Sequence, residues 1–290
     1  MKLSIAIADT HALPSAFVVY RGFDLCIPKA ACLGFSGVEL ALKRADEIHP
    51  VRMQTLLDEH RMEVSCISTG QVYADDGLMF TDPKADKRQQ VRAVFRELID
   101  LAENFGGLVN IGRVRGQIGD SPRAEAENLF IELAQELCDY AAPRRVTLIL
   151  EPVNRYEIDF VNSVEEGVEL MRKVDRPNMM LMPDVFHMNI EDRSLGPELA
   201  RHIAYVKYIH LADSNRLAPG QGHLDFPAIF EALLGAGYDG WVSAEILPVP
   251  DPDLAARRTA EYLLPMIATY NQNTSEKRVS GALSKTVGYR

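Results

Sequence analysis

The sequence predicts a single-domain (β/α)8 barrel, on three observations. Eight short apolar runs recur along the chain, amphipathic stretches lie between them, and no GxGxxG turn follows the first two runs. The runs are LSIAIA (3–8), GVELAL (37–42), VSCIS (64–68), LVNIG (108–112), VTLIL (146–150), MMLMP (179–183), VKYIHL (206–211) and WVSAEI (241–246). Each is too short for a helix and too continuously apolar for a strand with one wet face, as expected of parallel strands buried on both sides. Eight β-then-α units in about 270 residues fit the barrel's usual size of about 250. The rival, a doubly wound open sheet, would carry a glycine-rich phosphate turn after an early strand.

Three intervening stretches show helix signals. In SPRAEAENLFIELAQELCDYA, Ser121 is the expected N-cap with Pro122 in the first turn, and Phe130, Leu133, Leu137 and Tyr140 share one face. In SVEEGVELM, Ser163 and Glu166 have capping-box spacing. In DFPAIFEALLGAGYDG, Asp225 caps the start, and Gly235 and Gly237 are placed to end the helix. The barrel is expected over residues 1–272. The polar tail 273–290 reads as a flexible extension.

The chain has 290 residues, 25% of them charged, and a net charge of −10. Phosphate backbones and anionic membranes select for a Lys and Arg surplus, so nucleic acid and membrane partners are not expected. Cys26, Cys32, Cys66 and Cys138 form no CxxC pair, and the N-terminal apolar run is too short for a signal peptide. Reduced thiols in a cytoplasmic protein are expected.

Ligand-type residues gather where such a barrel carries function, at the C-terminal ends of strands. Glu151 follows LIL, Asp184 follows LMP, His210 lies in YIHL and Glu245 lies in SAEI, spaced by 33, 26 and 35 residues. Each gap is about one β/α unit, so neighbouring strand ends bring three carboxylates and one imidazole to one rim. One such residue alone reads equally well as a strand-end cap or salt-bridge partner. Three carboxylates that close do not all stay ionised without a cation. An oxygen-rich set with one imidazole suits Mn²⁺, Mg²⁺ or Co²⁺ better than structural Zn²⁺. Glu157, His187 and Arg216 follow three of these positions by 6, 3 and 6 residues, in loops over the same mouth.

EPVNRYE (151–157), DVFHMNIE (184–191), HLADSNRLAPGQGHLDF (210–226) and VSAEIL (242–247) resemble the sugar isomerase and 3-epimerase family of xylose-isomerase-like TIM barrels. That family includes the D-tagatose 3-epimerase group, and the similarity runs to about residue 270. STGQVYADDG (68–77) and IGRVRG (111–116) are most similar to its 5-keto-L-gluconate epimerases. The resemblance implies that Glu151, Asp184, His210 and Glu245 bind one divalent metal, Mn²⁺ first among candidates. It implies that Glu151 and Glu245 are also the acid/base pair. Glu157, His187 and Arg216 would hold the substrate's hydroxyl and carbonyl end, and the enzyme would be a dimer or tetramer. The chemistry agrees. Epimerisation beside a ketone removes a proton, a divalent cation stabilises the enediolate, and two carboxylates serve the two faces.

Arg113 and Arg115 end the fourth strand, where either can face the pocket and pair with a carboxylate or phosphate. The family's neutral-sugar enzymes tend to carry apolar or aromatic residues there. An acidic ketohexonate such as 5-keto-L-gluconate, going to D-tagaturonate, is therefore the expected substrate of a C3 epimerase. Gln71 and Tyr73 can add hydrogen bonds, and Cys66 reads as packing. The alternatives are an aldose–ketose isomerase such as a hydroxypyruvate isomerase, or a 3-epimerase of a neutral ketohexose. The related DNA-repair endonucleases need further His ligands, which the third and fourth strand ends lack. A non-catalytic sugar-binding barrel would have lost a ligand or base, and none is missing.

Overall fold

The computed structural model describes residues 1–14 and 16–287, with side chains to residue 276. Every expected apolar run becomes a strand. They are β1 (Lys2–Ala8), β3 (Gly37–Ala41), β4 (Glu63–Ser68), β5 (Leu108–Ile111), β6 (Thr147–Leu150), β7 (Met179–Leu181), β8 (Tyr208–Leu211) and β9 (Trp241–Ala244). A short strand that hydropathy did not mark, β2 (Tyr20–Arg21), pairs with the end of β1.

All pairings are parallel, in the order β7-β6-β5-β4-β3-β1-β9-β8. The circle closes through isolated parallel bridges, Leu181 to Val206 and Asp184 to His210. There the Lys207 and His210 amides donate to the Leu181 and Pro183 carbonyls, each at 2.9 Å. With helices outside, this is the (β/α)8 barrel.

The helices are α1 (Phe23–Cys32), α2 (Pro50–His60), α3 (Gly70–Asp76), α4 (Ala85–Ala102), α5 (Arg123–Ala141), α6 (Val164–Val174), α7 (Val185–Glu191), α8 (Gly196–Arg201), α9 (Phe226–Ala236) and α10 (Pro252–Val287). Their apolar stripes and the outward strand residues build one core cluster around the barrel. Helix α5 buries Phe130, Leu133 and Leu137, while Tyr140 sits half-exposed with its hydroxyl on Asp100.

Three end signals differ in detail from expectation. Pro122, not Ser121, is the N-cap of α5, and no side chain caps it. The Ser163 hydroxyl does accept the Glu166 amide at 3.2 Å, but the Glu166 carboxylate takes the Asn162 amide instead of closing a box on Ser163. Asp225 caps α9 through the Ala228 amide, and the helix ends at Gly237 with φ +75°, a conformation glycine adopts without strain; Gly235 lies inside it. The expected extension 273–290 begins within α10. Its side chains from 277 onward, and residues 288–290 entirely, lie outside the described residues.

Inside the barrel, Cys66 packs with Leu108, Ile149, Met182 and Tyr208. This supports its reading as packing. Ser4, Glu39, Ser65, Tyr208 and Ser243 are also fully buried, an unusual polar content for an interior generally dominated by branched aliphatics. Among the described residues no helix is long and apolar enough to cross a membrane.

Candidate active site

Four side chains converge at the C-terminal rim. Glu151 directly follows β6, Asp184 is the N-cap of α7, His210 lies in β8 and Glu245 directly follows β9. Their donor atoms all lie within 4.8 Å of one another. His210 Nδ1 stands 3.4 Å from Glu151 and 3.8 Å from Glu245. Asp184 Oδ2 and His210 Nδ1 are buried with no hydrogen-bond partner. Two orphaned buried atoms, each able to offer a lone pair and set among carboxylates, fit a divalent cation, since a buried polar atom is otherwise expected to be paired.

The electrostatics separate the two glutamates. Burial pushes the Glu151 carboxyl up, but the His210 ring beside it, with Arg216 and Arg115, outweighs this and holds Glu151 below the usual range. Burial raises Glu245 to about 8, reinforced by Glu151 and Asp184 and only partly opposed by His210 and Arg216. Asp184 is likewise raised by burial, against the pull of Arg216 and His210. A pair of carboxyls driven apart in this way is suited to opposite proton-transfer roles.

The loop residues close over this cluster. Arg216 bonds Glu245 and stands 3.6 Å from Asp184 and 3.9 Å from Glu157. Its guanidinium lies between the rings of Phe17 and Phe186, at 4.6 and 4.7 Å. It holds a left-handed backbone, φ +59°, strained for a non-glycine residue. The surrounding loop enforces that geometry. Asp213 accepts the amides of Ser214, Gly220 and Leu224, and a Cβ on Gly222 would collide with the Asp213 carboxylate. That accounts for the DSNR…PG…GH pattern.

His187, on α7, is buried between Asn154 at Nδ1 (2.7 Å) and Arg216 at Nε2 (3.2 Å). Burial first, then Arg216 and the neighbouring cations, drive its pKa far down, so the ring is neutral. Asn154 also donates to Glu157 at 3.1 Å, tying the NRYE loop to His187. Sequence reasoning missed Asn154, although it stands in the quoted motif.

A cavity of about 510 Å³, counted with its open mouth, collects Glu151, Glu157, His187, Arg216, Glu245, Gln71 and Arg113. Gln71 donates to the Ala41 carbonyl at 3.0 Å, while its Oε1 has no partner. Tyr73 packs against the core and is not among the lining residues.

Arg113 lines the cavity, 3.9 Å from Glu157 and over the Phe17 ring. Arg115 departs from the expectation. It is fully buried and gives its donors to the carbonyls of Phe160, Val161, Glu151 and Gly112, so it fastens the β6 loop instead of facing the cavity. The two arginines sit at either end of a 3-10 turn, which points them apart.

Glu39 was also missed. It lies beneath His210, with Nε2 2.9 Å from one carboxylate oxygen and 3.1 Å from the other. A charged residue inside GVELAL carries no strand-end signal, so position alone could not single it out.

The closed parallel barrel with chemistry on its C-terminal rim defines the class, and comparison defines the family. Residues 27–266 match the model described as xylose isomerase-like TIM barrel, and the chain belongs to that family. It is 32% identical over 243 residues to the L-ribulose 3-epimerase of Methylomonas sp. (strain DH-1), covering 81% of this chain and 82% of that protein. It is 29% identical over 231 residues to the D-psicose 3-epimerase of Ruminiclostridium cellulolyticum, covering 76% of each. Among solved structures, D-psicose 3-epimerase with D-tagatose from Clostridium cellulolyticum superposes with a TM-score of 0.77 at 22% identity, over 91% of this chain and 97% of that one. The protein is an enzyme of the isomerase and epimerase class.

Proposed function

We propose that the enzyme is a divalent-metal-dependent ketose 3-epimerase acting on an acidic ketohexonate, such as 5-keto-L-gluconate to D-tagaturonate. The supporting observation is the pair Glu151 and Glu245, flanking Asp184 and His210 on one cavity with their proton affinities driven apart. Glu151, Asp184, His210 and Glu245 would hold the metal. When bound, a divalent cation, Mn²⁺ in this reading, supplies Lewis acidity toward the ketone and its neighbouring hydroxyl.

The chain's residues do the rest. One glutamate takes the proton from C3 on one face, and the other returns a proton to the opposite face. Microscopic reversibility exchanges the roles for the reverse reaction. Glu157 and neutral His187 bind substrate hydroxyls, and Arg216 meets the oxygen end that gains negative charge. Gln71 Oε1 accepts from a further hydroxyl. Arg113, with only a 3.9 Å ion pair to Glu157, keeps donors for the distal carboxylate.

The test is proton NMR in D₂O with Mn²⁺-loaded and chelator-stripped enzyme on ketohexonates, neutral ketohexoses, ketose phosphates and hydroxypyruvate. Metal-dependent deuterium at C3 with inversion, strongest for an acid, is expected. Exchange with aldehyde formation would replace the epimerase by an aldose–ketose isomerase. Turnover of neutral ketoses alone would overturn the acidic substrate. The reading also expects a homodimer or homotetramer, checked by sedimentation, and a cytoplasmic enzyme, checked by cell fractionation.

A further inference from the structure

We infer that Glu39 is the positioning residue of the metal site, fixing the His210 ring so that Nδ1 is its metal donor; this rests on the metal reading of the cluster. Strand β3 alternates. Val38 and Leu40 face the core under the helices, while Ala41 lines the cavity and Glu39 points into the barrel one layer below it. The β3–β4 register shifts between Val38 and Glu39, an irregularity of the kind that re-aims a side chain.

The carboxylate is fully buried, and no Lys or Arg is paired with it among the described residues. Instead it faces donors. His210 Nε2 lies 2.9 Å from Oε2, and the Tyr208 hydroxyl donates to Oε2 at 3.0 Å. Tyr208 has one proton to give. The Tyr208 oxygen in turn lies 2.9 Å from the Ser4 hydroxyl and 2.7 Å from the Ser65 hydroxyl, which also reach the Val242 and Val38 carbonyls at 3.4 and 3.1 Å. Hydroxyls on β1 and β4 thus hold the Tyr208 hydroxyl in place against Glu39.

A carboxylate accepts only, so the proton of a neutral His210 ring resides on Nε2. Nδ1 is left with a free lone pair, facing Glu151 and Glu245. The charge also makes the imidazole more basic, as carboxylate partners do for ligating histidines. An apolar side chain of similar volume would pack in this interior at lower cost than a buried carboxylate. Packing therefore does not account for a glutamate at this position.

The experiment compares the unaltered full chain with Glu39→Gln and Tyr208→Phe. It measures Mn²⁺ affinity by calorimetry, the melting temperature after chelation, and the ¹⁵N shifts of the His210 ring in the stripped chain at a pH alkaline enough to make the ring neutral. Glu39→Gln is expected to weaken Mn²⁺ roughly 10- to 100-fold and to mix the His210 tautomers. Tyr208→Phe, which leaves the carboxylate but removes a donor from it, should weaken Mn²⁺ less, in the same direction. Should Glu39→Gln not fold, Tyr208→Phe decides by the same measurements. Unchanged Mn²⁺ affinity and an unchanged tautomer in the folded variants would overturn the inference while leaving the metal site standing. An unaltered chain that binds no Mn²⁺ would overturn both.

Discussion

In the proposed mechanism Glu151 and Glu245 both hold the metal and move protons, and amide substitution separates shape from charge. Glu151→Gln and Glu245→Gln should each lower kcat by about 10²–10⁴ with the melting temperature of the stripped chain nearly unchanged, read from exchange kinetics and thermal melts. Arg113→Ala tests substrate class. A charge-assisted hydrogen bond contributes roughly 1.5–3 kcal/mol, so KM for an acidic ketose should rise about tenfold or more while KM for a neutral ketose stays put. The four cluster residues were legible in the sequence because each directly ends, or lies at the end of, an apolar run. Arg113 and Arg115 were not separable, since RVR gives no sign that a 3-10 turn buries one guanidinium among carbonyls and leaves the other in the cavity.

Among the elements, α7 carries a charge where its own end disfavours one. Asp192 follows its last residue, near the negative pole of the helix. Burial raises its carboxyl to about 7, with Glu198, Glu191 and Glu165 adding to the rise and the Val164 amide opposing it. Because the folded-state value lies above the ordinary one, the folded chain binds the proton more tightly. The stabilisation is present at low pH and is lost as pH climbs from about 4 to 7. Asp192→Asn should remove this loss. Allowing for solvent screening, the variant should be more stable at pH 8 by roughly 1–2 kcal/mol, with the difference vanishing near pH 4, as melts across that range would show. Strand positions followed directly from apolar runs. Helix starts were less legible, because a cap is decided by local backbone geometry. Ser163 and Asp225 do cap, whereas Ser121 leaves that place to Pro122. The two-residue β2 is too short for any periodicity to mark it.

For the molecule as a whole, one ligand that binds only the folded chain should raise its stability. At a free Mn²⁺ concentration 100 times Kd the gain is about 2.7 kcal/mol, or roughly 4–5 °C in melting temperature for a chain of this size. Chelation should reverse it, and refilling with Mn²⁺ should restore it. The barrel class was legible because eight units of even spacing admit few other closures. The polar interior was not, since which face of each strand turns inward depends on register.

The seam between β7 and β8 gives the proposed metal site a mechanical meaning. There the barrel is joined by isolated bridges, and one of them pairs Asp184 with His210, two of the four donors. An ion held by both residues, and by Glu151 and Glu245 on the flanking sides, acts as a clasp across the join. Breathing of the barrel should then begin at this latch when the ion is withdrawn. Hydrogen exchange at the Lys207 and His210 amides, which bond across the seam, should accelerate on chelation more than exchange in the continuous β1–β3 ladder.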